Sequence, residues 1–230
     1  IASGFNIEEK RLASRALIIR AQNVADYLNL TPDKRCAASD FPCIAPPAPI
    51  LWIEWMQRYK VECMGKCGLL VISSTLAEAE RIKGLEEWLG IMKANGGELP
   101  RWICTTMAYG EADTGVEPVR IKIRWAVSPS GSAVKDGLVV EAPSDAPEEA
   151  KKEIPSLLTV PWMALSFIHC KNVELVKSKP YDPRLQKART RRGRPPLMRW
   201  HILTIEPVKR VIDAANHRRV DALTPAALHI

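Results

Sequence analysis

The sequence predicts an α+β fold, in which a mixed or mainly antiparallel sheet is accompanied by an N-terminal helix and a few packing helices. Three observations predict it. β-branched and aromatic residues cluster in short runs, and the alternating segment Arg120–Trp125 is the clearest half-buried strand. Turn residues separate these runs. Helical patterns occur at only a few places, so a regular parallel alternation of strand and helix is not expected.

The first element predicted is a helix over about residues 7–30. Asn6 as N-cap and Glu9 three residues later form a capping-box pattern. Apolar residues then recur on roughly one helical face as far as Leu28. The prolines between Thr31 and Pro49 exclude a long helix from that segment.

The remaining elements follow from the same signals. A helix is expected from a Thr75 cap to Leu89 or Lys93, another from about Pro161 to Cys170, and a short one over Val208–Asn216. The predicted strands are Ile50–Met56, Arg58–Cys63, Gly68–Ser73, Trp102–Met107, Val119–Val127, Leu138–Glu141, Asn172–Lys177 and Leu197–Ile205.

Composition indicates a folded protein with two regions. The 230 residues are 47% hydrophobic and 26% charged, which allows a substantial core. We expect an N-terminal α+β domain over 1–145 and a basic C-terminal region over 146–230 that packs on it and lacks its natural C-terminus. No apolar run reaches the roughly 20 residues that span a bilayer. Six dispersed cysteines suggest reduced thiols, and the expected location is the cytoplasm of a bacterial host.

The positive charge lies in the last sixty residues. Lys171–Ile230 holds 14 Lys and Arg against 5 Asp and Glu, whereas the first 170 residues hold 19 against 21. A block of like charges repels itself unless it is solvated or lies against a polyanion, so the pattern predicts phosphate contacts. A merely solvated loop between two strands is the alternative. The residues predicted to bind nucleic acid are Lys187, Arg189, Arg191, Arg192, Arg194, Arg199, Lys209 and Arg210.

The short segment Arg192–Pro195 resembles the core of the AT-hook, a DNA-binding motif in which an extended Arg-Gly-Arg lies in the minor groove. The glycine permits close approach to the groove floor, and the two arginines follow its negative potential. The resemblance covers four residues. It favours DNA over RNA as the partner.

Candidate chemical sites are few. The thiols Cys63 and Cys67 have a spacing found in zinc sites, but no second pair follows. Adjacent side chains such as His169 and Cys170 point in different directions on a helix, which argues against a catalytic pair. Glu54 lies within an apolar strand, and the solvent face of that strand is the simpler interpretation. No nucleotide-binding loop or common hydrolase motif occurs. The sequence therefore predicts no metal site and no cofactor, and it leaves open whether the chain is an enzyme.

Three phrases carry a resemblance across most of the chain: Asp40–Trp55 with its prolines and two tryptophans, Ser166–Val173, and Arg192–Leu197 leading into the strand that ends at Ile205. They resemble an uncharacterised family of phage and prophage proteins. The resemblance implies a phage or mobile-element origin and a further basic and aromatic segment after Ile230. It implies no activity.

Three functional hypotheses follow. The first is a nucleic-acid-binding accessory protein that contacts phosphates through its basic C-terminal segment. The second is a protein-interaction or inhibitor module that acts on a host protein. The third is a metal-dependent nuclease in which Glu54 joins other acids, such as Glu111 and Asp113. No membrane partner is expected, and the oligomeric state is not determined by the sequence.

Overall fold

The structure is a computed structural model, and it describes residues 11–30, 38–60, 63–82, 85–94, 98–112, 121–141, 158–170, 173–193 and 201–205. The predicted helix Val208–Asn216 lies outside the described residues. The predicted sites Arg194, Arg199, Lys209 and Arg210 lie outside them as well.

Eight strands of the described residues form one sheet in the order β6-β5-β4-β3-β2-β1-β8-β7. The strands are β1 Leu17–Arg20, β2 Ile50–Lys60, β3 Cys63–Thr75, β4 Trp102–Ala112, β5 Ile121–Val127, β6 Ala133–Glu141, β7 Val173–Lys177 and β8 His201–Ile205. The helices are α1 Gln22–Leu30, α2 Leu76–Ala79, α3 Glu86–Ala94, α4 Thr159–Ile168 and α5 Pro183–Arg191, with a short 3₁₀ turn at Ala38–Asp40. The fold is α+β, as the sequence predicts.

Pairing in the sheet is antiparallel except at β1. Strands β2 to β6 form an antiparallel meander, and β7 pairs antiparallel with β8. Strand β1 lies parallel between β2 and β8, with Ile19 opposite both Ile53 and His201. The short strand β1 therefore joins the meander to the C-terminal pair in one continuous sheet.

The main core lies between one face of the sheet and helices α1 and α4, and we call this the α1/α4 face. Ile19, Leu51, Ile53 and Leu203 are fully buried there with Trp162 of α4. The indoles of Trp125 and Trp162 meet edge to face with ring centroids 6.0 Å apart. Helix α4 carries buried residues along eight of its ten positions, which explains its uniformly apolar sequence.

The opposite face is covered in part. Helix α3 packs Trp88, Leu89 and Met92 into a smaller cluster with Ile103 of β4 and Ala126 of β5. Around the turn that precedes β1, Leu12 and Ala13 pack with Leu70 and Tyr109. The part of this face near β1 and β8 is more exposed, since Ile202 and Val176 retain 38% and 44% of their accessible surface.

The predicted continuous helix over residues 7–30 is wrong within the described part. Residues 11–13 are helical, a turn follows, Leu17–Arg20 is a strand, and helix begins again at Gln22. The stretch that breaks the helix contains two consecutive isoleucines, whose branched side chains suit a pleated strand. Burial of Ile19 between two neighbouring strands then outweighs the helical spacing.

Two further predictions were wrong in detail. Strand β3 runs from Cys63 to Thr75 through Gly65 and Gly68, whereas the sequence predicts a gap between a strand that ends at Cys63 and one that begins at Gly68. The helix predicted from Thr75 to Leu89 or Lys93 is divided, because α2 ends at Ala79 and α3 begins at Glu86. The cap itself is confirmed, since Thr75 and Glu78 form a capping box. The backbone N–H of Thr75 and then its hydroxyl hold the pKa of Glu78 below its ordinary value.

Candidate nucleic-acid interface

The basic segment connects the two strands β7 and β8, as the sequence predicts. These strands pair from Val173 opposite Ile205 to Lys177 opposite His201. The connection holds a helix, α5, which was not predicted. From Lys177 to Gly193 the chain carries seven Lys and Arg and one acid, Asp182. This segment is the most positively charged part of the chain that the structure describes.

Helix α5 begins at a clear N-terminal signal. The Asp182 carboxylate accepts a hydrogen bond from the backbone N–H of Arg184 at 2.8 Å. Pro183 takes the first helical position, where its fixed φ suits the helix and no N–H is lost to the ladder. A capping aspartate also places negative charge at the positive end of the helix dipole. Asp182 is therefore explained as a cap.

The helix ends at Arg191 with Arg192 as its C-cap, and Gly193 follows with a φ of +63°. Its backbone N–H bonds to Thr190 O at 3.0 Å, and the N–H of Arg192 lies within reach of the Ala188 and Arg189 carbonyls. A left-handed residue just after a helix is the usual place for glycine, because glycine has no Cβ to crowd the following carbonyl oxygen. The glycine of the AT-hook-like segment is thus a helix terminator in this structure, and Arg192–Gly193 is not extended.

No residue of α5 is buried. Gln186 and Arg189 are half-buried, whereas Arg184, Lys187 and Arg191 are exposed. Successive helical residues turn by about 100°, so the three exposed cations form a line on the side of the helix opposite the half-buried pair. We call Arg184, Lys187 and Arg191 the cationic stripe. Arg192 at the C-cap is exposed beside it.

The structure brings four of the eight predicted residues together. Lys187, Arg189 and Arg191 lie on α5, and Arg192 caps it; the other four lie outside the described residues. Arg184 completes the stripe and was missed by the sequence analysis. The signal that would have found it is the Asp-Pro pair at 182–183, which starts a helix and puts positions 184, 187 and 191 on one face.

Two exposed lysines precede the helix. Lys177 ends β7 and Lys179 follows it, before the turn into Asp182. Both retain an exposed side chain, so the positive surface extends from the end of the sheet onto α5. No acidic residue lies within α5 to neutralise the stripe. The resulting surface favours an anionic partner that presents several charges in a row.

Glu54, the acid considered for metal binding in the sequence analysis, lies on the face of the sheet opposite the α1/α4 face. Its Oε1 accepts a hydrogen bond from Arg20 Nε at 2.7 Å, and its Oε2 accepts one from Trp52 Nε1 at 3.1 Å. Both oxygens thus already have protein donors. The side chains of Arg20 and Glu54 are 46% and 36% exposed. This is an oriented surface ion pair and gives no support to a metal-binding role.

The thiols do not form a chemical site among the described residues. Burial raises the pKa of the Cys104 thiol, which keeps it protonated. The Cys170 thiol donates to the carbonyl of Ser166 at 3.6 Å, and His169 Nε2 donates to the carbonyl of Ala45 at 2.8 Å. Cys170 and His169 therefore donate hydrogen bonds to two different backbone carbonyls and not to each other. Within the described ranges, no group of three or more His, Cys, Asp or Glu residues is placed to hold a metal ion.

No family model, no curated protein and no solved structure matches this chain. The resemblance to phage and prophage proteins therefore stays a prediction. Of the helices in the described residues, none is long and apolar enough to cross a membrane. The case for function consequently depends on the geometry of the basic segment.

Proposed function

We propose that this chain is a nucleic-acid-binding accessory protein of phage or mobile-element origin, acting in the cytoplasm of a bacterial host. It contacts the phosphate backbone through the segment Lys177–Gly193 and the basic residues that follow. One observation carries the proposal: the cationic stripe of α5 points away from the half-buried side of the helix and has no acid within the helix to neutralise it.

The binding energy comes mainly from release of counterions that condense on the nucleic acid. Each phosphate neutralised by a lysine or arginine releases counterions, so affinity falls steeply as salt rises. Backbone contacts of this kind fix position and orientation and carry no sequence information by themselves. The expected behaviour is therefore salt-sensitive binding with weak sequence preference.

The test is a fluorescence titration of labelled duplex DNA between about 50 and 200 mM salt. Replacing Lys187, Arg191 and Arg192 with Gln removes three cations from the interface. We expect the slope of log affinity against log salt to fall by about 3, because each phosphate contact contributes about 0.9.

A second triple variant controls for total charge. Lys66, Arg81 and Lys135 are exposed cations on β3, beyond α2 and on β6, and their replacement with Gln changes the net charge by the same amount. We expect this variant to keep most of the wild-type slope. Equal slopes for the two triple variants would refute a localised interface. No binding of the unaltered chain at the lowest salt would refute the function, and a pull-down with host proteins would then test the interaction-module hypothesis.

A further inference from the structure

The geometry of α5 points to a specific kind of target and a specific mode of binding. We propose that α5 enters the major groove of double-stranded B-form DNA as a folded helix, and that its two caps, Asp182 and Gly193, are needed for binding because the helix is marginal without a partner. The proposal rests on the proposed function and specifies its substrate.

The dimensions of α5 match the major groove. A helix with its side chains is about 10–12 Å across, and nine residues extend about 13.5 Å. The major groove of B-form DNA is about 12 Å wide, whereas the minor groove is about 6 Å wide. In A-form RNA the major groove is too deep and narrow for side chains to read. A helix with one cationic side therefore fits duplex DNA better than duplex RNA.

The orientation of the cations supports the same mode. Arg184, Lys187 and Arg191 face away from the half-buried Gln186 and Arg189, so the cationic side of the helix is opposite its partly covered side. The helix can dock by its cationic side while Gln186 and Arg189 keep their present surroundings. The minor-groove mode of an AT-hook requires an extended chain around Gly193, whose φ of +63° would first have to change.

The helix is held weakly by its own residues. Nine residues are fewer than the 12–15 that make an isolated helix even marginally stable in water, and α5 buries no side chain. Arg184 and Lys187 are three apart, and Lys187 and Arg191 are four apart, so like charges repel along the stripe. The caps at Asp182 and Gly193 oppose this, and a polyanion in contact with the stripe would remove the repulsion.

Two substitutions at Asp182 separate helix formation from charge. Asp182→Asn removes a negative charge but keeps a side chain that caps well, so duplex binding should equal or exceed that of the unaltered chain. Asp182→Ala removes the same charge and also the cap. We expect Asp182→Ala to bind about fivefold more weakly than Asp182→Asn, because loss of a cap lowers the population of the binding-competent helix.

A second pair at the other end keeps the charge constant. Gly193→Ala places a Cβ on a left-handed residue, whereas Gly193→Asn is better tolerated there. The Gly193→Ala variant should therefore bind duplex DNA more weakly than the Gly193→Asn variant. All four variants should unfold at the temperature of the unaltered chain, since α5 contributes nothing buried to the core.

The experiment measures the affinity of each full-length variant for a DNA duplex, an RNA duplex of the same sequence, and the DNA duplex saturated with netropsin, a minor-groove ligand. The expected result is tighter binding to DNA than to RNA, retention of binding with netropsin, and the two cap effects. Equal affinities of Asp182→Ala and Asp182→Asn, or displacement by netropsin, would overturn the inference while leaving phosphate binding intact. Absence of binding in every arm would instead overturn the proposed function.

Discussion

Gly68 is a residue at which one added carbon atom would not fit. The indole of Trp52 lies across it, and a Cβ at this position would overlap Trp52 Cζ2. The indole also packs against Tyr109, with ring centroids 5.8 Å apart, and donates to Glu54. The sequence predicts Gly68 as the first residue of a strand. It is instead a site of close approach within a strand, which glycine alone accommodates.

We therefore expect Gly68→Ala to lower the free energy of unfolding by about 1–3 kcal/mol, because the indole must move away from its partners. Chemical denaturation monitored by circular dichroism measures this. Gly90→Ala in α3 is the matched control: no atom lies within 4 Å of a Cβ there, so alanine should be neutral or stabilise by up to about 1 kcal/mol. In a Trp52→Leu background the cost of Gly68→Ala should shrink. An unchanged cost would show that the indole is not its cause.

Strand β1 links the two parts of the sheet, because it pairs with β2 of the meander and with β8 of the C-terminal pair. Its residues alternate between faces, so Ile19 lies in the main core while Ile18 lies on the opposite face and is half-buried. The contrast between the two isoleucines thus measures how differently the two faces of β1 are buried.

Ile19→Ala should cost about 2–5 kcal/mol of unfolding free energy, since it removes a fully buried side chain. Ile18→Ala should cost on the order of 1 kcal/mol. Equilibrium denaturation in urea measures both. Similar losses for the two variants would contradict the placement of β1 between β2 and β8 with one face in the main core.

The elements show which parts of the fold are readable from sequence. The strands of the meander were predicted in position because branched and aromatic residues mark them, although β2 was predicted as two strands and β6 only from Leu138 onward. Helix α4 was predicted because Pro161 opens an apolar run. Strand β1 was missed because its burial depends on pairing with β8, a strand far along the chain, which a local pattern does not reveal. Helix α5 was missed because it has no apolar stripe. In the sequence only its capping residues indicate a helix.

At the scale of the molecule, the sequence shows where along the chain the positive charge lies, but it does not show how the charged side chains are arranged in space. Charge is a property of composition and is read directly, so Lys187, Arg189, Arg191 and Arg192 were found. Their arrangement on a helix with Arg184 needed the backbone. The division at residue 145 likewise came from a change in composition. In the described residues, β7, β8 and α4 share one sheet or one core with the strands before residue 145.

Because of this sharing, we expect heat to unfold the chain in one transition, with equal calorimetric and van't Hoff enthalpies. Leu203→Ala in β8 should lower the midpoint of that whole transition, since Leu203 is fully buried in the main core. Differential scanning calorimetry measures both. Two separate calorimetric transitions would mean that the C-terminal region folds on its own. A lower midpoint for only the smaller of two transitions in Leu203→Ala would mean the same.

The place of β1 also governs the order in which the newly made chain can fold. The meander β2 to β6 needs only neighbouring segments, so it can form as soon as residue 141 has left the ribosome. Strand β1 has one neighbour by then, but its second, β8, begins sixty residues later at His201. While those sixty residues are being made, the edge that β8 will cover is open to pairing with other chains.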